Sequence, residues 1–173
     1  GCSVGRSSYE LAHIYDNVVG VDFSANFIKI AQKLQHDTSI TYKVKDEGEL
    51  SFDKTISLKE LSFDKVANKI KFSQGDACNL KEVHYDYDLI LCNNLIDRLY
   101  NPIGFLQDIQ TRLNVGGILA ISSPYTWLEE YTTKSKWLGG FSENGKDIHS
   151  IETLKEHLSD FRLKKIIDVE FVI

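Results

Sequence analysis

The sequence predicts an α/β fold whose mostly parallel central sheet carries helices on both faces. Short apolar runs that end in an acid or an amide, such as residues 18–22 and 87–94, have the pattern of buried parallel strands. These runs alternate with amphipathic segments of helical spacing, which is typical of sheets built from β-α-β units. At 173 residues the chain is long enough for a substantial core, and we predict a single domain over residues 1–173.

The chain opens on a turn of small residues, Gly1 to Gly5, which runs into a helix predicted over residues 8–15. Glycine permits backbone angles closed to other residues and lets a ligand approach the main chain closely. The free N–H groups at the start of a helix attract anionic or polar ligand groups, so the turn suits a nucleotide-like cofactor. A helix-entry turn without any ligand is the alternative.

The first predicted strand, residues 18–22, leads to a helix with Ser24 as its N-cap. The apolar face of that helix is predicted to comprise Phe27, Ile28, Ala31 and Leu34. Residues 43–70 are less regular, with a short strand over 42–45 and an acidic turn over 46–50. We predict an insertion here, which is either a lid or binding loop or a solvated decoration.

Regular alternation returns in the second half of the chain. The predicted elements are strands at 70–77, 87–94 and 118–124, a connection at 96–100, a helix at 101–113 with Pro102 in its first turn, an aromatic loop at 125–145, a helix capped by Ser150 and a last strand at 163–173. Because the sequence starts on the turn and contains no Met, we expect a strand before Gly1 and a strand after Ile173 to be missing from it.

The amino-acid composition argues against several classes of function. A net charge of −5 argues against a general nucleic-acid binder, which normally has a basic face. No apolar run approaches the length of a membrane span, and no signal peptide is visible. The three cysteines are scattered without metal-ligand spacing, so we predict no metal site and a reduced, cytoplasmic protein.

Polar side chains collect where the predicted strands end. In open α/β sheets ligands bind outside the carboxyl ends of the strands, and here those ends have Asp22, Asp76, Asn93 and Asn94. An acid 17 residues after Gly5 suits the two hydroxyls of a ribose, which also fits a nicotinamide dinucleotide. Asp76 is a second acid, which could accept from an adenine amino group. This second acid favours a nucleoside cofactor other than a nicotinamide dinucleotide.

Each of these polar residues also has a plain structural interpretation. Asp22 could cap the following helix, Asp76 could be an ordinary turn residue, and the two asparagines could close backbone hydrogen bonds at a strand end. The combination of all four at successive strand ends favours a binding site.

The order of glycine turn, strand-Asp, strand-Gly-Asp-Ala, strand-Asn and Gly-Gly-strand resembles the class I S-adenosylmethionine-dependent methyltransferases over the whole chain. More specific runs resemble the C-terminal methyltransferase domain of ovothiol-biosynthesis enzymes. These runs are Gly-Cys-Ser-Val-Gly-Arg-Ser at 1–7, Asp-Glu-Gly-Glu-Leu at 46–50, Gly-Asp-Ala-Cys-Asn-Leu at 75–80, Asn-Leu-Ile-Asp-Arg-Leu-Tyr at 94–100, Ser-Pro-Tyr-Thr-Trp-Leu-Glu-Glu-Tyr at 123–131 and Trp-Leu-Gly-Gly-Phe at 137–141.

This resemblance implies a Rossmann-like methyltransferase fold and methylation of an imidazole nitrogen of 5-thiohistidine, with S-adenosylmethionine as methyl donor and S-adenosylhomocysteine as product. It also implies a small amino-acid substrate and fusion to, or cooperation with, an iron-dependent sulfoxide synthase domain. The residues expected to bind the cofactor are Gly1, Cys2, Ser3, Gly5, Arg6, Asp22, Phe23, Ser24, Asp76, Ala77, Cys78 and Asn93. Phe23 would lie against the nucleoside, with core packing as the alternative.

Methyl transfer from a sulfonium is an in-line displacement, and a neutral imidazole nitrogen already has the lone pair that it needs. A strong base is therefore not required. The residues expected on the acceptor side are Asn94, Asp97, Arg98, Tyr100, Tyr125 and Trp127. Arg98 could pair with the substrate carboxylate, or alternatively with Asp97. The substrate ammonium could be received by Glu47, Glu49, Glu129 or Glu130. The aromatic residues could enclose the ring and the sulfonium, or could belong to the core.

Three alternatives for the function stay open. The domain could methylate another small molecule, it could bind the cofactor without turnover as a module of a fused enzyme, or it could be a nicotinamide-dependent oxidoreductase. The Gly-Asp-Ala run at 75–77 argues against the last of these.

Overall fold

The computed structural model describes residues 1–170 of the chain. The helices within this part are α1 (Arg6–Ala12), α2 (Ala25–Asp37), α3 (Pro102–Gln110) and α4 (Ser150–His157). The strands are β1 (Val18–Asp22), β2 (Ser39–Lys45), β3 (Ser51–Ser57), β4 (Ile70–Gln74), β5 (Tyr87–Asn93), β6 (Leu113–Ser122), β7 (Phe141–Glu143) and β8 (Lys146–Ile148). Over the same residues, no helix combines the length and apolarity that a bilayer crossing requires.

Two parallel strand pairs form the centre of the fold. β1 pairs with β4 in a register that sets Val18 beside Ile70 and Asp22 beside Gln74. β5 pairs with β6 in a register that sets Asn93 beside Ser122. Since helices or helical turns connect the paired strands, the predicted α/β fold with a parallel sheet is confirmed. The parallel registers also bring the carboxyl ends of the paired strands to the same edge.

The core consists of two clusters, one for each strand pair. Helices α1 and α2 pack against β1 and β4, and the Tyr9 ring stacks on Phe63 with ring centroids 5.1 Å apart. The predicted apolar face of α2 is confirmed for Ile28, Ala31 and Leu34, which are buried, but Phe27 is 45% exposed. The second cluster joins α3 and α4 to β5 and β6. Its buried members are Cys92, Ile96, Leu99, Phe105, Leu106, Ile109, Trp127, Leu138 and Leu154.

The segment predicted as an irregular insertion contains an antiparallel hairpin. β2 begins at Ser39, before the predicted strand, and pairs along its length with β3, which the sequence analysis missed. The acidic turn over 46–50 is confirmed as the tip of this hairpin, where Asp46 N–H donates to the Leu50 carbonyl at 3.0 Å. The strand β3 was missed because it has only two apolar residues, Phe52 and Ile56, and most of its side chains are exposed.

Several predicted element bounds are wrong. Helix α3 ends at Gln110, and β6 begins at Leu113, within the helix predicted over 101–113 and before the strand predicted over 118–124. Helix α1 begins at Arg6 and ends at Ala12, rather than covering 8–15. Ser150 does not cap α4, because it is the first helical residue and its hydroxyl accepts from the Trp127 indole N–H at 2.8 Å. The predicted strand at 163–173 is absent from residues 163–170, and its last three positions lie outside the described residues. The Ser24 cap of α2 is confirmed, since its hydroxyl accepts from Phe27 N–H.

Candidate functional site

The glycine turn is held against the end of β1. Cys2 N–H donates to the Val21 carbonyl at 2.9 Å, and Gly5 N–H donates back to the Cys2 carbonyl at 3.0 Å. Gly5 is buried with φ of 100°, and a β-carbon there would lie 2.5 Å from the Phe72 ring. Gly5 is therefore required by backbone conformation and by packing, whatever the turn binds.

Asp22 joins this turn to the start of α2. One of its carboxylate oxygens accepts from Ser3 N–H at 2.7 Å, and the other accepts from Ser24 N–H at 2.9 Å. Each carboxylate oxygen has two lone pairs, so both oxygens retain an acceptor position for a ligand. The alternative interpretation, in which Asp22 caps α2, explains the contact with Ser24 but not the contact with Ser3. The contact with Ser3 binds the same carboxylate to the glycine turn.

Phe23, which follows Asp22, is 73% exposed. The alternative interpretation of this side chain as core packing is therefore wrong. An exposed ring next to an acid at a strand end is available to lie against a flat ligand group.

Asp76 lies beside Asp22 at the same edge, because Gly75 N–H donates to the Asp22 carbonyl at 3.0 Å. One Asp76 oxygen accepts from Cys78 N–H at 2.8 Å, and the other accepts from the Tyr100 hydroxyl at 2.9 Å. The hydrogen bond to Asp76 raises the pKa of Tyr100 above its ordinary value. A residue predicted for the cofactor and one predicted for the acceptor are thus in direct contact, which the sequence analysis did not anticipate.

Asn93 connects β5 to α1 and β6. Its side-chain amide donates to the Ser7 hydroxyl at 3.1 Å, and its carbonyl oxygen accepts from the Ser122 hydroxyl at 3.2 Å. Asn94 N–H donates to the Ser122 carbonyl at 2.8 Å. The Asn94 side-chain oxygen also accepts from the Ser122 hydroxyl at 3.4 Å. The strand-end interpretation therefore describes the backbone contact of Asn94, whereas the Asn93 side chain contacts hydroxyl groups and not the backbone. Ser122 was missed by the sequence analysis, although its position at the end of the strand paired with β5 could have indicated it.

Asp97 and Arg98 form an ion pair with a 2.7 Å contact, in which the Arg98 side chain is 34% exposed. This pair is the alternative that the sequence left open for Arg98. The Asp97 side chain is fully buried and also accepts from the hydroxyls of Ser123 at 2.9 Å and Thr126 at 3.1 Å. Arg98 donates to the Thr126 carbonyl at 2.7 Å and hydroxyl at 2.9 Å, and its guanidinium lies 5.1 Å from the Tyr131 ring centroid. Neither Ser123 nor Thr126 was among the predicted site residues.

The two remaining aromatic residues differ in environment. Trp127 is buried in the second core cluster, as the alternative interpretation of this side chain expects. Its burial does not favour the prediction that it encloses the substrate. Tyr125 is 37% exposed and has φ of 51°. Partial burial raises the pKa of its phenol.

Several other residues predicted to bind the cofactor either contact other side chains of this chain or are partly buried. Arg6 forms an ion pair with Glu10 at 2.6 Å on the surface of α1, and its guanidinium lies over the Phe63 ring. Burial raises the pKa of the Cys2 thiol to about 11 and also raises that of Cys78. Ala77 is half-buried beside them.

Three residues near this edge have positive φ angles. Ser3 lies within the glycine turn, and Asn94 and Tyr125 follow β5 and β6, with φ angles of 51°, 48° and 51°. Non-glycine residues with positive φ also occur elsewhere among the described residues, so this conformation is not confined to the edge. Non-glycine residues in this region cost roughly 1–3 kcal/mol each and are concentrated at binding and catalytic sites. One surface depression of about 460 Å³ lies elsewhere, beside β7, and none of the predicted site residues lines it. No group of three or more His, Cys, Asp or Glu among residues 1–170 could hold a metal ion.

A glycine turn, parallel strands and acids at adjacent strand ends define an α/β protein of the class that binds nucleoside cofactors. Residues 1–121 match the family model described as methyltransferase domain, and the chain belongs to this family. The predicted class, a S-adenosylmethionine-dependent methyltransferase domain, is confirmed by this match, and so is S-adenosylmethionine as the methyl donor of the class.

Several solved structures are similar to this chain. The CcbJ methyltransferase from Streptomyces caelestis is 15% identical with a TM-score of 0.50, over 70% of this chain and 39% of that one. The [4+2]-cyclase SpnF is 18% identical with a TM-score of 0.50, over 71% of this chain and 36% of that one. The MccD protein is 22% identical with a TM-score of 0.47, over 70% of this chain and 42% of that one.

The two similarities at a TM-score of 0.50 show the fold alone. The chain spans less than half the length of each of the three proteins. One of them is a cyclase, so the fold does not by itself identify the reaction. The comparison with curated proteins gave no match.

Proposed function

We propose that this domain transfers a methyl group from S-adenosylmethionine to an imidazole nitrogen of 5-thiohistidine. The proposal rests on where two runs of sequence lie. Residues 94–100 and 123–131 are the runs that most specifically resemble thiohistidine methyltransferases. In the structure these runs contact each other through Asp97, Ser123 and Thr126. Tyr100, which belongs to the first run, donates its hydroxyl to Asp76, and Asp76 lies beside Asp22. Two segments distant in sequence that share one resemblance thus lie together beside the acids proposed for the cofactor.

The residues at the edge fit the proposed cofactor. Asp22 retains an acceptor position on each carboxylate oxygen for the two ribose hydroxyls, and Phe23 is exposed next to it. Asp76 would accept from the adenine amino group, which requires that it share or release the Tyr100 hydroxyl. The full set proposed to bind the cofactor is Gly1, Cys2, Ser3, Gly5, Arg6, Asp22, Phe23, Ser24, Asp76, Ala77, Cys78 and Asn93.

When bound, S-adenosylmethionine supplies an electrophilic methyl group on a sulfonium. The chain has to hold the acceptor nitrogen in line with that methyl group and to exclude water from between them. The exposed side chains of Asn94, Tyr100 and Tyr125 are proposed to line the acceptor position. The carbonyl oxygen of Asn94 could accept the ring N–H that fixes the reactive tautomer, since a neutral imidazole nitrogen needs no strong base.

Methylation of a different small molecule is the second candidate. The engagement of Arg98 by Asp97 and Thr126 favours it, because the guanidinium predicted to recognise an amino-acid carboxylate is already bound within the chain. The wider context is proposed from the resemblance: a cytoplasmic enzyme, with a sulfoxide synthase domain that provides the thiohistidine. The net charge of −5 supports a small-molecule rather than a nucleic-acid substrate.

The test uses the full protein that contains this domain. It is incubated with S-adenosylmethionine and with 5-thiohistidine, histidine or no acceptor, and the products are weighed by mass spectrometry. The proposal expects one added methyl group on 5-thiohistidine, together with S-adenosylhomocysteine. Measurable binding of S-adenosylmethionine without any methylated thiohistidine would refute this acceptor and would favour the second candidate.

A further inference from the structure

Four consecutive residues after β5 each contact the segment that follows β6. Asp97 accepts from Ser123 and Thr126, and Arg98 donates twice to Thr126. The Leu99 carbonyl accepts from the buried Thr132 hydroxyl at 2.6 Å, and the Tyr100 carbonyl accepts from the Lys136 ammonium at 3.2 Å. The segment 123–136 is therefore bound along its length to a single turn, which we call the clamp turn (residues 97–100).

Asp97 and Arg98 make most of the hydrogen bonds between the clamp turn and segment 123–136. The Asp97 carboxylate has three donors, and a buried carboxylate requires such partners because its desolvation is otherwise costly. Both terminal nitrogens of Arg98 donate hydrogen bonds. One donates to the Asp97 and Thr126 carbonyls and to the Asp97 carboxylate, and the other donates to the Thr126 hydroxyl. The planar guanidinium thus holds two chain segments together in a fixed geometry, which a lysine could not reproduce.

The clamp turn also determines the position of Tyr125. Ser123 donates its hydroxyl proton to Asp97 and accepts from Tyr125 N–H at 3.1 Å. Tyr125 has a positive φ angle, and a strained residue persists only where its surroundings hold it. A change at Asp97 would release Ser123 and, with it, the backbone of Tyr125.

We propose that Asp97 and Arg98 are positioning residues, which fix segment 123–131 as the wall of the acceptor site and do not touch the acceptor. The inference rests on the proposed function, since it concerns the same site. It replaces the expectation that Arg98 binds the substrate carboxylate, and it assigns the contact with the acceptor to Tyr125 on the segment that Asp97 and Arg98 hold.

The experiment compares Asp97→Asn and Arg98→Lys with Asp108→Asn and Arg112→Lys in the full protein. Asp108 and Arg112 are a matched control, because they also form an ion pair at 2.7 Å. Asp108 is on α3, Arg112 follows the end of that helix, and their partners are residues 80–84 instead of segment 123–131. Thr126→Val is added as a milder variant, because it removes the hydroxyl link and leaves both charges in place. All variants are assayed below their melting temperatures.

The kinetic readout separates positioning from direct contact. Each enzyme is assayed with 5-thiohistidine and with its decarboxylated analogue, and the affinity for S-adenosylmethionine is measured by calorimetry. We expect Asp97→Asn and Arg98→Lys to lower kcat/KM at least 10-fold by the same factor for both acceptors, with cofactor affinity within twofold of wild type. A loss confined to the acceptor that has a carboxylate would show direct binding by Arg98 and would overturn the proposal.

Hydrogen exchange gives a readout that does not depend on the acceptor. The amides of residues 123–131 should exchange at least 10-fold faster in Asp97→Asn and Thr126→Val, and at the wild-type rate in Asp108→Asn. Unchanged exchange in both clamp variants would overturn the proposal. If the wild-type enzyme does not methylate 5-thiohistidine, the proposed function fails, and the exchange data still decide whether the clamp turn holds the segment.

Discussion

Replacement of Asp22 by Asn tests the cofactor site at the point where the geometry is most constrained. Both carboxylate oxygens accept from backbone N–H groups, one from Ser3 and the other from Ser24. An amide has only one acceptor oxygen, so in either orientation its NH₂ group must face a backbone donor. The substitution preserves size and shape, and it removes the charge and one of the two acceptors.

The expected loss follows from the hydrogen bonds to the ribose. A hydrogen bond to a charged group contributes about 1.5–3 kcal/mol, and Asn can retain at most one of the two that Asp22 would accept from the vicinal hydroxyls. Since about 1.4 kcal/mol corresponds to a factor of ten in affinity, loss of one bond weakens binding by roughly 10–150-fold. The displaced Ser3 N–H adds to this loss, because Ser3 belongs to the turn that should contact the cofactor.

The assay is isothermal titration of S-adenosylmethionine into wild type, Asp22→Asn and Asp16→Asn. Asp16 is the matched control, since its carboxylate is exposed and is paired only with Lys69 at 2.8 Å on the surface. We expect the Asp16 variant to bind like wild type. If the Asp22 variant binds within twofold of wild type while remaining folded, Asp22 does not hold the ribose and the placement of the cofactor is wrong.

Two further predictions concern stability. Arg112 is 4% exposed, and its five N–H groups all have acceptors on Asp108, Leu80, Lys81 and His84, so Arg112→Lys should lower the free energy of unfolding by about 2–4 kcal/mol in urea titrations. A loss below about 1 kcal/mol would contradict this account of the contact. Burial raises the pKa of Cys92 from 9.0 to about 11, so the unfolded chain loses this proton first and stability falls between pH 9 and pH 11 by at most about 2–3 kcal/mol. Urea titrations of Cys92→Ala between pH 9 and pH 11 should show a smaller decline in the free energy of unfolding. Identical declines in this variant and in wild type would refute the prediction.

Much of the fold could be predicted because it depends on local patterns. The strand at residues 18–22 is a continuous apolar run closed by an acid, and the structure forms β1 over the same residues. Ser24 precedes an apolar periodicity of helical spacing, and it caps α2 as predicted. By contrast, β3 has only two apolar residues and mostly exposed side chains, so its conformation depends on pairing with β2 and not on a local pattern.

The candidate site could be located from the sequence, but its internal contacts could not. Acids at the ends of parallel strands meet at one edge by topology, and this places Asp22 next to Asp76. The partners of Asp97 come from residues 26 and 29 positions further along the chain. No periodicity or spacing encodes such pairs, because they depend on how the segment after β6 folds back on the clamp turn. Ser150 illustrates the same limit, since a serine before a helical pattern indicates a cap, and here its hydroxyl binds Trp127 instead.

Tyr100 shows why a division into cofactor and acceptor residues does not describe this edge. Its hydroxyl donates to Asp76, and its backbone carbonyl accepts from Lys136, which lies beyond the segment that carries Tyr125. The adenine amino group that we propose at Asp76 would have to share that carboxylate with the Tyr100 hydroxyl, so the proposed cofactor position would be physically linked to the clamp turn. Cofactor binding would then act on the residues proposed to shape the acceptor site, through a contact that neither the glycine turn nor the strand-end acids indicate.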